Sequence, residues 1–134
     1  MAKSSDAGAT HEVPIYNLND LPSREVRHGI VQRVFRGNAV AIAYNQLNPG
    51  MATNPHSHDF EQVFVLLEGR VKLHVGDEVH QCEAGTVVRI PPHTEHWAEP
   101  PLPEDGVALN MDIFSPIRDD YFELTAYQTD TFDQ

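Results

Sequence analysis

The stretch from His56 to Gly69, HSHDFEQVFVLLEG, constrains this chain more than any other. Two histidines one residue apart in an extended segment project from the same side of the backbone, so His56 and His58 can bind one ion together. Gln62 follows with an amide oxygen, and the next five residues are β-branched, aromatic or leucine and end at a Glu-Gly turn. The pattern predicts three ligands followed by a strand and a turn.

A fourth candidate ligand lies in the second half of the chain. Residues 85–96, GTVVRIPPHTEH, again run from a turn through a strand and a proline break to a histidine, His96. His93 in the same segment lies either on the loop surface or behind the ligands. A lone histidine is more often a surface or hydrogen-bonded residue than a ligand. We apply that interpretation to the remaining four: His11, His28, His74 and His80.

Gln62 sets the charge of the predicted site. Three neutral imidazoles and a neutral amide leave a bound divalent ion with a charge of about +2, which favours a small anionic substrate. The alternative is that Gln62 only forms hydrogen bonds, with Glu61 exposed or binding in its place, although alternation puts Glu61 on the opposite strand face. One divalent transition metal is expected, and Ni, Zn, Fe, Mn and Co all accept imidazole with an oxygen donor.

Length and charge limit the class of protein. A chain of 134 residues is the size of one domain. Its net charge of −11 argues against a nucleic-acid partner, which requires a basic face. Cys82 is the single cysteine, and the first residues lack the apolar segment of a signal peptide or a membrane span. We therefore expect a cytoplasmic protein without a disulfide or a membrane partner.

Short strands punctuated by Gly, Asn, Asp and Pro predict an all-β domain, a small antiparallel β-barrel. Residues 1–12 are small and polar and are predicted to be a disordered arm, residues 13–121 the barrel, and residues 122–134 a tail on the barrel or on a neighbouring subunit. Strands are expected at the following positions: 13–16, 29–35, 39–47, 63–67, 70–75, 78–82, between Gly85 and Pro91, and 107–114. Apolar residues on both strand faces fit a homodimer.

A second group of polar residues closes the predicted barrel, in the segment NMDIFSPIR at positions 110–118. Asp112 and Phe114 share one face of their strand, and Pro116 bends the chain so that Arg118 can fold over the barrel mouth. A carboxylate near a metal can carry protons, a ring can wall off a sugar-sized ligand, and a guanidinium can bind a carboxylate through two hydrogen bonds. The alternative is an ordinary salt bridge between Asp112 and Arg118.

Both histidine segments resemble the two motifs of the cupin family. The first motif is matched by Gly50, His56, His58, Gln62 and Gly69, with Gln in place of the usual Glu, and the second by Gly85, Pro91 and His96. This chain has His93 where the family usually has glycine and Pro100 where it usually has asparagine. The resemblance covers roughly residues 30 to 121 and implies a single-domain cupin barrel, a double-stranded β-helix of jelly-roll type.

The closing motif resembles that of small cupins of pectin and alginate breakdown, the KdgF-like uronate isomerases. In that family four such ligands hold a divalent metal, and an Asp, a Phe and an Arg line the pocket; they correspond to Asp112, Phe114 and Arg118. The implied reaction converts a 4,5-unsaturated monouronate to its linear keto form, with Asp112 as proton carrier and Arg118 on the substrate carboxylate. A metal-dependent dioxygenase, a polyketide cyclase-like cupin and a non-catalytic ligand-binding cupin are the alternatives.

Overall fold

The computed structural model describes residues 13–128, which form two antiparallel β-sheets. Six strands make the larger sheet, in the order β1-β2-β3-β9-β4-β7, and three make the smaller, in the order β6-β5-β8. Their bounds are β1 Arg24–Arg27, β2 Ile30–Arg36, β3 Ala41–Leu47, β4 Gln62–Glu68, β5 Arg70–Val75, β6 Glu78–Glu83, β7 Val87–Ile90, β8 His96–Ala98 and β9 Ala108–Phe114. The predicted antiparallel all-β fold is confirmed.

Period-two patterns account for most of these strands. In β3 and β5, buried residues alternate with more exposed ones, as expected where one face of each strand is packed. The predicted strand at 13–16 is wrong, because these residues have no ladder partner among the described residues and Val13 and Ile15 are exposed. Strand β1 was not predicted. Its sequence REVR has little β propensity, and pairing with β2 holds it in place.

The barrel has two apolar clusters with a polar layer between them. Along β3, Ala41 and Ala43 belong to one cluster and Leu47 to the other, and Asn45 lies between them. Along β9, Asn110 and Asp112 separate Ala108 from Phe114 in the same way. The register places Asn45 opposite Asn110. Polar side chains from neighbouring strands therefore meet in the middle of the barrel, where each requires a hydrogen-bond partner.

Two positions with positive φ shape the chain near this layer. Gly69 has φ +87°, and a Cβ there would lie 2.8 Å from Cα of Ala108, so this turn between β4 and β5 requires glycine. His93 has φ 64°, a left-handed conformation that is uncommon for a residue with a side chain. It stands where the resembled motif has glycine, and the loop keeps the backbone conformation that glycine allows.

Helix α1, Asp119–Leu124, follows the last strand, and its Tyr121 is buried against Phe114 and its neighbours. Beyond the helix, Gln128 exchanges two hydrogen bonds of 2.9 Å with the backbone of Arg36 in β2. The first part of the predicted tail thus packs on the barrel, whereas the predicted arm at 1–12 and residues 129–134 lie outside the described residues. Among the described residues, no helix is long and apolar enough to cross a membrane.

Candidate metal centre

Three histidines converge at one end of the polar layer, two from the segment before β4 and one from the start of β8. One ring nitrogen from each of His56, His58 and His96 lies within 4.8 Å of the others. His56 and His96 form a short antiparallel bridge, with N···O distances of 3.3 and 2.9 Å. The backbone N–H of His93 donates to the carbonyl of His58 at 2.7 Å. These backbone hydrogen bonds join the two histidine segments, so the structure brings the predicted histidines together.

The other ring nitrogen of each histidine faces a backbone carbonyl. Nδ1 of His56 lies 2.6 Å from the oxygen of Asn54, Nδ1 of His58 lies 2.8 Å from that of Phe60, and Nδ1 of His96 lies 2.9 Å from that of Thr94. A carbonyl oxygen only accepts hydrogen bonds, so Nδ1 carries the proton in each ring. Nε2 then presents a lone pair, which is the form in which imidazole binds a metal.

Burial also favours neutral rings. It lowers the pKa of His96 to about 4 and that of His56 below its usual value of 6.5, with the neighbouring histidines adding to the effect. His96 is only 3% exposed, so its ring has little contact with water. At neutral pH these two rings hold no proton on Nε2.

Gln62 supplies an oxygen to the same point. Its Oε1 lies 3.1 Å from Nε2 of His58 and 3.1 Å from Nε2 of His96. Its Nε2 donates to Oδ1 of Asp112 at 2.7 Å, and because a carboxylate only accepts, that contact fixes which way the amide faces. Two bare nitrogens and a carbonyl oxygen are all electron-pair donors, and a cation among them would satisfy all three. The donor set therefore fits a divalent metal.

Asp112 accepts hydrogen bonds from three amide side chains of the polar layer. Oδ1 accepts from Gln62 and from Nδ2 of Asn110 at 3.0 Å, and Oδ2 accepts from Nδ2 of Asn45 at 3.1 Å. Gln32 extends the chain with a 3.0 Å bond to Asn45. Burial raises the pKa of Asp112 to about 6, against the opposing effect of its three amide donors. The carboxylate thus orients one candidate ligand directly.

Aromatic rings wall the centre on one side. Phe60 stacks on His58 with ring centroids 4.1 Å apart, and Phe114 meets the same ring edge-on at 5.9 Å. Phe114 also contacts Tyr121 at 5.6 Å. The wall holds the His58 ring in its orientation and keeps bulk water from that side.

Arg118 lies over this wall. Its guanidinium carbon is 5.5 Å from the centroid of Phe114 and 5.0 Å from that of Tyr121. Nε and Nη2 donate to the two carboxylate oxygens of Asp120 at 3.1 and 3.2 Å. The alternative of a salt bridge between Asp112 and Arg118 is wrong, because Arg118 pairs with the carboxylate of Asp120.

The centre opens into a cavity of about 750 Å³. Its walls include all seven predicted site residues: His56, His58, Gln62, His96, Asp112, Phe114 and Arg118. Sequence reasoning missed several other wall residues, among them Arg24, Arg27, Asn45, Phe60, Asn110 and Tyr121. A signal for two of these exists. Asn45 and Asn110 occupy positions of the period-two pattern that are otherwise apolar, and a polar residue there requires a buried partner.

The other candidate ligands lie away from the centre. Glu61 is half-exposed and pairs with Arg89 at 2.7 Å, so it does not replace Gln62. The side chain of His93 is exposed, and only its backbone supports the site. His28 is exposed, and His11 lies outside the described residues.

The chain is similar to known proteins in sequence and in fold. Acireductone dioxygenase of Klebsiella pneumoniae is 42% identical over 48 residues, 33% of this chain and 27% of that protein. The enzyme of the same name from Gluconacetobacter diazotrophicus is 31% identical over 85 residues, 56% and 48% of the two chains. The chain spans between about a quarter and a half of the length of these curated relatives.

Solved structures match over more of the chain. An RmlC-like cupin from Shewanella frigidimarina superposes with a TM-score of 0.72 at 20% identity, over 90% of this chain and 99% of that one. KdgF from Halomonas sp. gives 0.71 at 24% identity, over 81% and 99%. The polyketide cyclase RemF from Streptomyces resistomycificus gives 0.69 at 16% identity, over 80% and 82%. At these low identities, the superpositions show a shared fold.

The family model described as "Cupin domain" matches residues 44–111, half of the chain. The match contains the first histidine motif, the second motif and most of β9. Together with the two facing antiparallel sheets and the superposed cupin structures, it shows that this chain belongs to the cupin family.

Proposed function

We propose that the protein is a metal-dependent isomerase that opens and ketonises 4,5-unsaturated monouronates released from pectin or alginate. The observation that carries the proposal is the neutral donor set: three imidazole nitrogens and the Gln62 oxygen, held with no carboxylate ligand. A divalent ion bound there keeps its charge, which suits an anionic substrate. The closing motif, with Asp112, Phe114 and Arg118 on one cavity, supports the substrate class.

The proposed reaction changes no oxidation state overall. The bond between C1 and the ring oxygen opens, giving an aldehyde at C1 and an enol at C5, and the enol becomes a ketone when a proton is added at C4. A divalent ion supplies Lewis-acid stabilisation of the developing oxyanion charge. No atom is gained or lost, so the protein needs only to bind the sugar and move a proton.

Asp112 is the proposed proton carrier. It lies on the cavity wall, and its Oδ2 accepts one hydrogen bond where a carboxylate oxygen can accept two. The remaining lone pair can take and return a proton. Its other oxygen holds Gln62 in place, so the same side chain would position a ligand and serve the reaction.

Arg118 and Phe114 are the proposed substrate contacts. The guanidinium of Arg118 donates to Asp120 and also hydrogen-bonds the Tyr121 side chain, and because it has five N–H groups, donors remain for a substrate carboxylate. Phe114 is 2% exposed and meets the His58 ring edge-on, so it would limit water on that side of the reacting atoms.

A dioxygenase is the second candidate, because relatives that match part of this chain in sequence are named acireductone dioxygenase. Such a reaction would use a redox-active ion and consume oxygen. The two candidates therefore differ in a property that one assay measures.

The test is an assay with lyase-generated 4,5-unsaturated uronates, run with and without oxygen and repeated in heavy water. We expect the same rate without oxygen, support by zinc as well as by iron, and deuterium at C4 of the product. His96→Ala serves as the inactive control. Oxygen consumption in proportion to product would show that the protein is a dioxygenase and not an isomerase.

A further inference from the structure

We infer that Arg24 and Arg27 form a second anion-binding wall of the cavity, so that the site accepts ligands with two anionic groups. The inference goes beyond the proposed reaction, because it concerns which ligands bind and does not depend on what happens to them. We call these two residues the β1 arginines.

A β-bulge aims both side chains at the cavity. In the ladder between β1 and β2, Arg24 lies opposite Gln32 and Arg27 lies opposite Ile30, with one extra residue in β1 between them. Since Gln32 and Ile30 are two residues apart, they share a face, and so do the β1 arginines. Without the bulge, residues three apart in a strand would face opposite sides.

That shared face borders the cavity, and both arginines are exposed at its rim. Ile30 is 5% exposed and belongs to the core, and Gln32 donates to Asn45 within the polar layer. Both β1 arginines line the same cavity as His56 and Asp112. Their neighbour Glu25 has the other orientation, and its carboxylate accepts from the backbone N–H of Gly29.

The β1 arginines have no hydrogen-bond or ion-pair partner within residues 13–128. Other arginines of that part of the chain are engaged: Arg33 with the carbonyl of Leu21, Arg70 with Glu83, Arg89 with Glu61 and Arg118 with Asp120. Two unpaired guanidiniums on one strand repel each other, and an anion between them would remove that repulsion. Their planar forks suit a carboxylate.

Arg118 is a separate cationic point of the same cavity. It follows β9, whereas β1 is the edge strand of the sheet, with β2 and β3 between them. The cavity also contains acidic groups, namely Asp112 in its polar layer and Asp119 and Asp120 on α1, and Asp120 is paired with Arg118. A volume of about 750 Å³ is within the ~300–1,000 Å³ of pockets that bury drug-sized ligands, so it can hold more than one sugar ring.

The test is a binding measurement on the full 134-residue chain loaded with zinc, with saturated uronates that do not react. The probes are galacturonate with one carboxylate, digalacturonate with two, and uncharged galactose. Trp97, the single tryptophan, lies on the cavity wall, so its fluorescence reports binding. The variants are Arg24→Gln with Arg27→Gln, and, as a control for the loss of two positive charges, Arg70→Gln with Arg89→Gln, whose side chains are outside the cavity.

We expect digalacturonate to bind more tightly than galacturonate, and the double variant to lose roughly tenfold or more of the digalacturonate affinity at low salt. Galacturonate affinity should change much less, and the control variant Arg70→Gln with Arg89→Gln should leave both affinities unchanged. Equal affinity for the two probes, or a loss in the double variant no larger than in two-charge surface controls, would overturn the inference. Melting curves confirm that the variants are folded. Because this test measures binding and not turnover, its result does not depend on the outcome of the isomerase assay.

Discussion

The histidines of the centre and two others, His74 on β5 and His80 on β6, use opposite ring nitrogens. In the centre, Nδ1 binds a backbone carbonyl and Nε2 points inward, as in His96. On the smaller sheet, Nε2 of His74 lies 2.6 Å from Glu99, and Nε2 of His80 lies 2.7 Å from Glu78. His74 also stacks on Trp97 with centroids 3.9 Å apart, so it is supported by partners and is less solvated than its strand pattern indicates.

This difference shows that the partner of the ring, more than its burial, decides what a histidine can bind. A carbonyl on Nδ1 leaves a lone pair at Nε2, and three such rings converge. A carboxylate on Nε2 occupies the same atom, so that nitrogen is not available to a metal.

Removing a ring of the centre should abolish metal binding. His96→Ala deletes one of three convergent nitrogens, and the loss in zinc affinity should exceed the roughly 10- to 100-fold that loss of an outer partner costs. His74→Ala is the matched control, because it removes an imidazole that is already paired with Glu99. Elemental analysis and zinc titration measure both. Full metal occupancy in His96→Ala would refute the site.

Asp112→Asn should weaken metal binding, because Gln62 loses the partner that orients its amide. An asparagine facing three amide donors has only one oxygen to offer them, so the Gln62 amide loses its fixed direction. We expect about a 10- to 100-fold loss in zinc affinity, and a further loss of turnover when zinc is saturating. If zinc affinity and turnover are both unchanged, Asp112 neither orients Gln62 nor carries the proton.

Gln62→Glu should destabilise the metal-free protein. The change removes the donor to Asp112 and puts two carboxylates at the 2.7 Å contact, which costs about 1–3 kcal/mol for the lost bond alone. Adding Asp112→Asn restores a donor and should recover most of the loss, so the pair couples strongly. Urea unfolding of the single and double variants measures this. Additive effects would show that the two side chains do not interact.

His93→Gly should have the smallest effect. A side chain at φ 64° costs about 1–2 kcal/mol, and the extra freedom of glycine in the unfolded chain offsets about 0.5–1 kcal/mol. We expect a gain between about 0 and 1.5 kcal/mol, with zinc affinity unchanged because the backbone N–H still binds His58. Glu95→Gly, at an exposed position with ordinary φ, should lose stability instead. Thermal melting compares them.

The sequence predicted the elements that repeat a simple pattern. Alternation located β3, β5 and β9, and motif spacing singled out the histidines that the fold brings together. It failed where tertiary contacts decide the structure. Residues 13–16 look like a strand and find no partner, and β1 looks polar and pairs with β2. Local propensity contains no information on either outcome.

Partner choice was also beyond sequence reasoning. Spacing allowed Arg118 to reach back to Asp112, but the first turn of α1 places Asp120 closer, and that carboxylate takes the guanidinium. The bulge in β1 is equally invisible, because it arises from the register with β2 and not from a glycine. It alone brings Arg27 to the cavity side.

The ring nitrogens themselves provide the most direct test. In the ¹⁵N-labelled protein, the ¹⁵N resonances of all histidine rings can be followed while zinc is added. We predict that one equivalent shifts three Nε2 resonances, those of His56, His58 and His96, while their Nδ1 atoms stay protonated. Binding through Nδ1, or shifts confined to His74 and His80, would contradict the account.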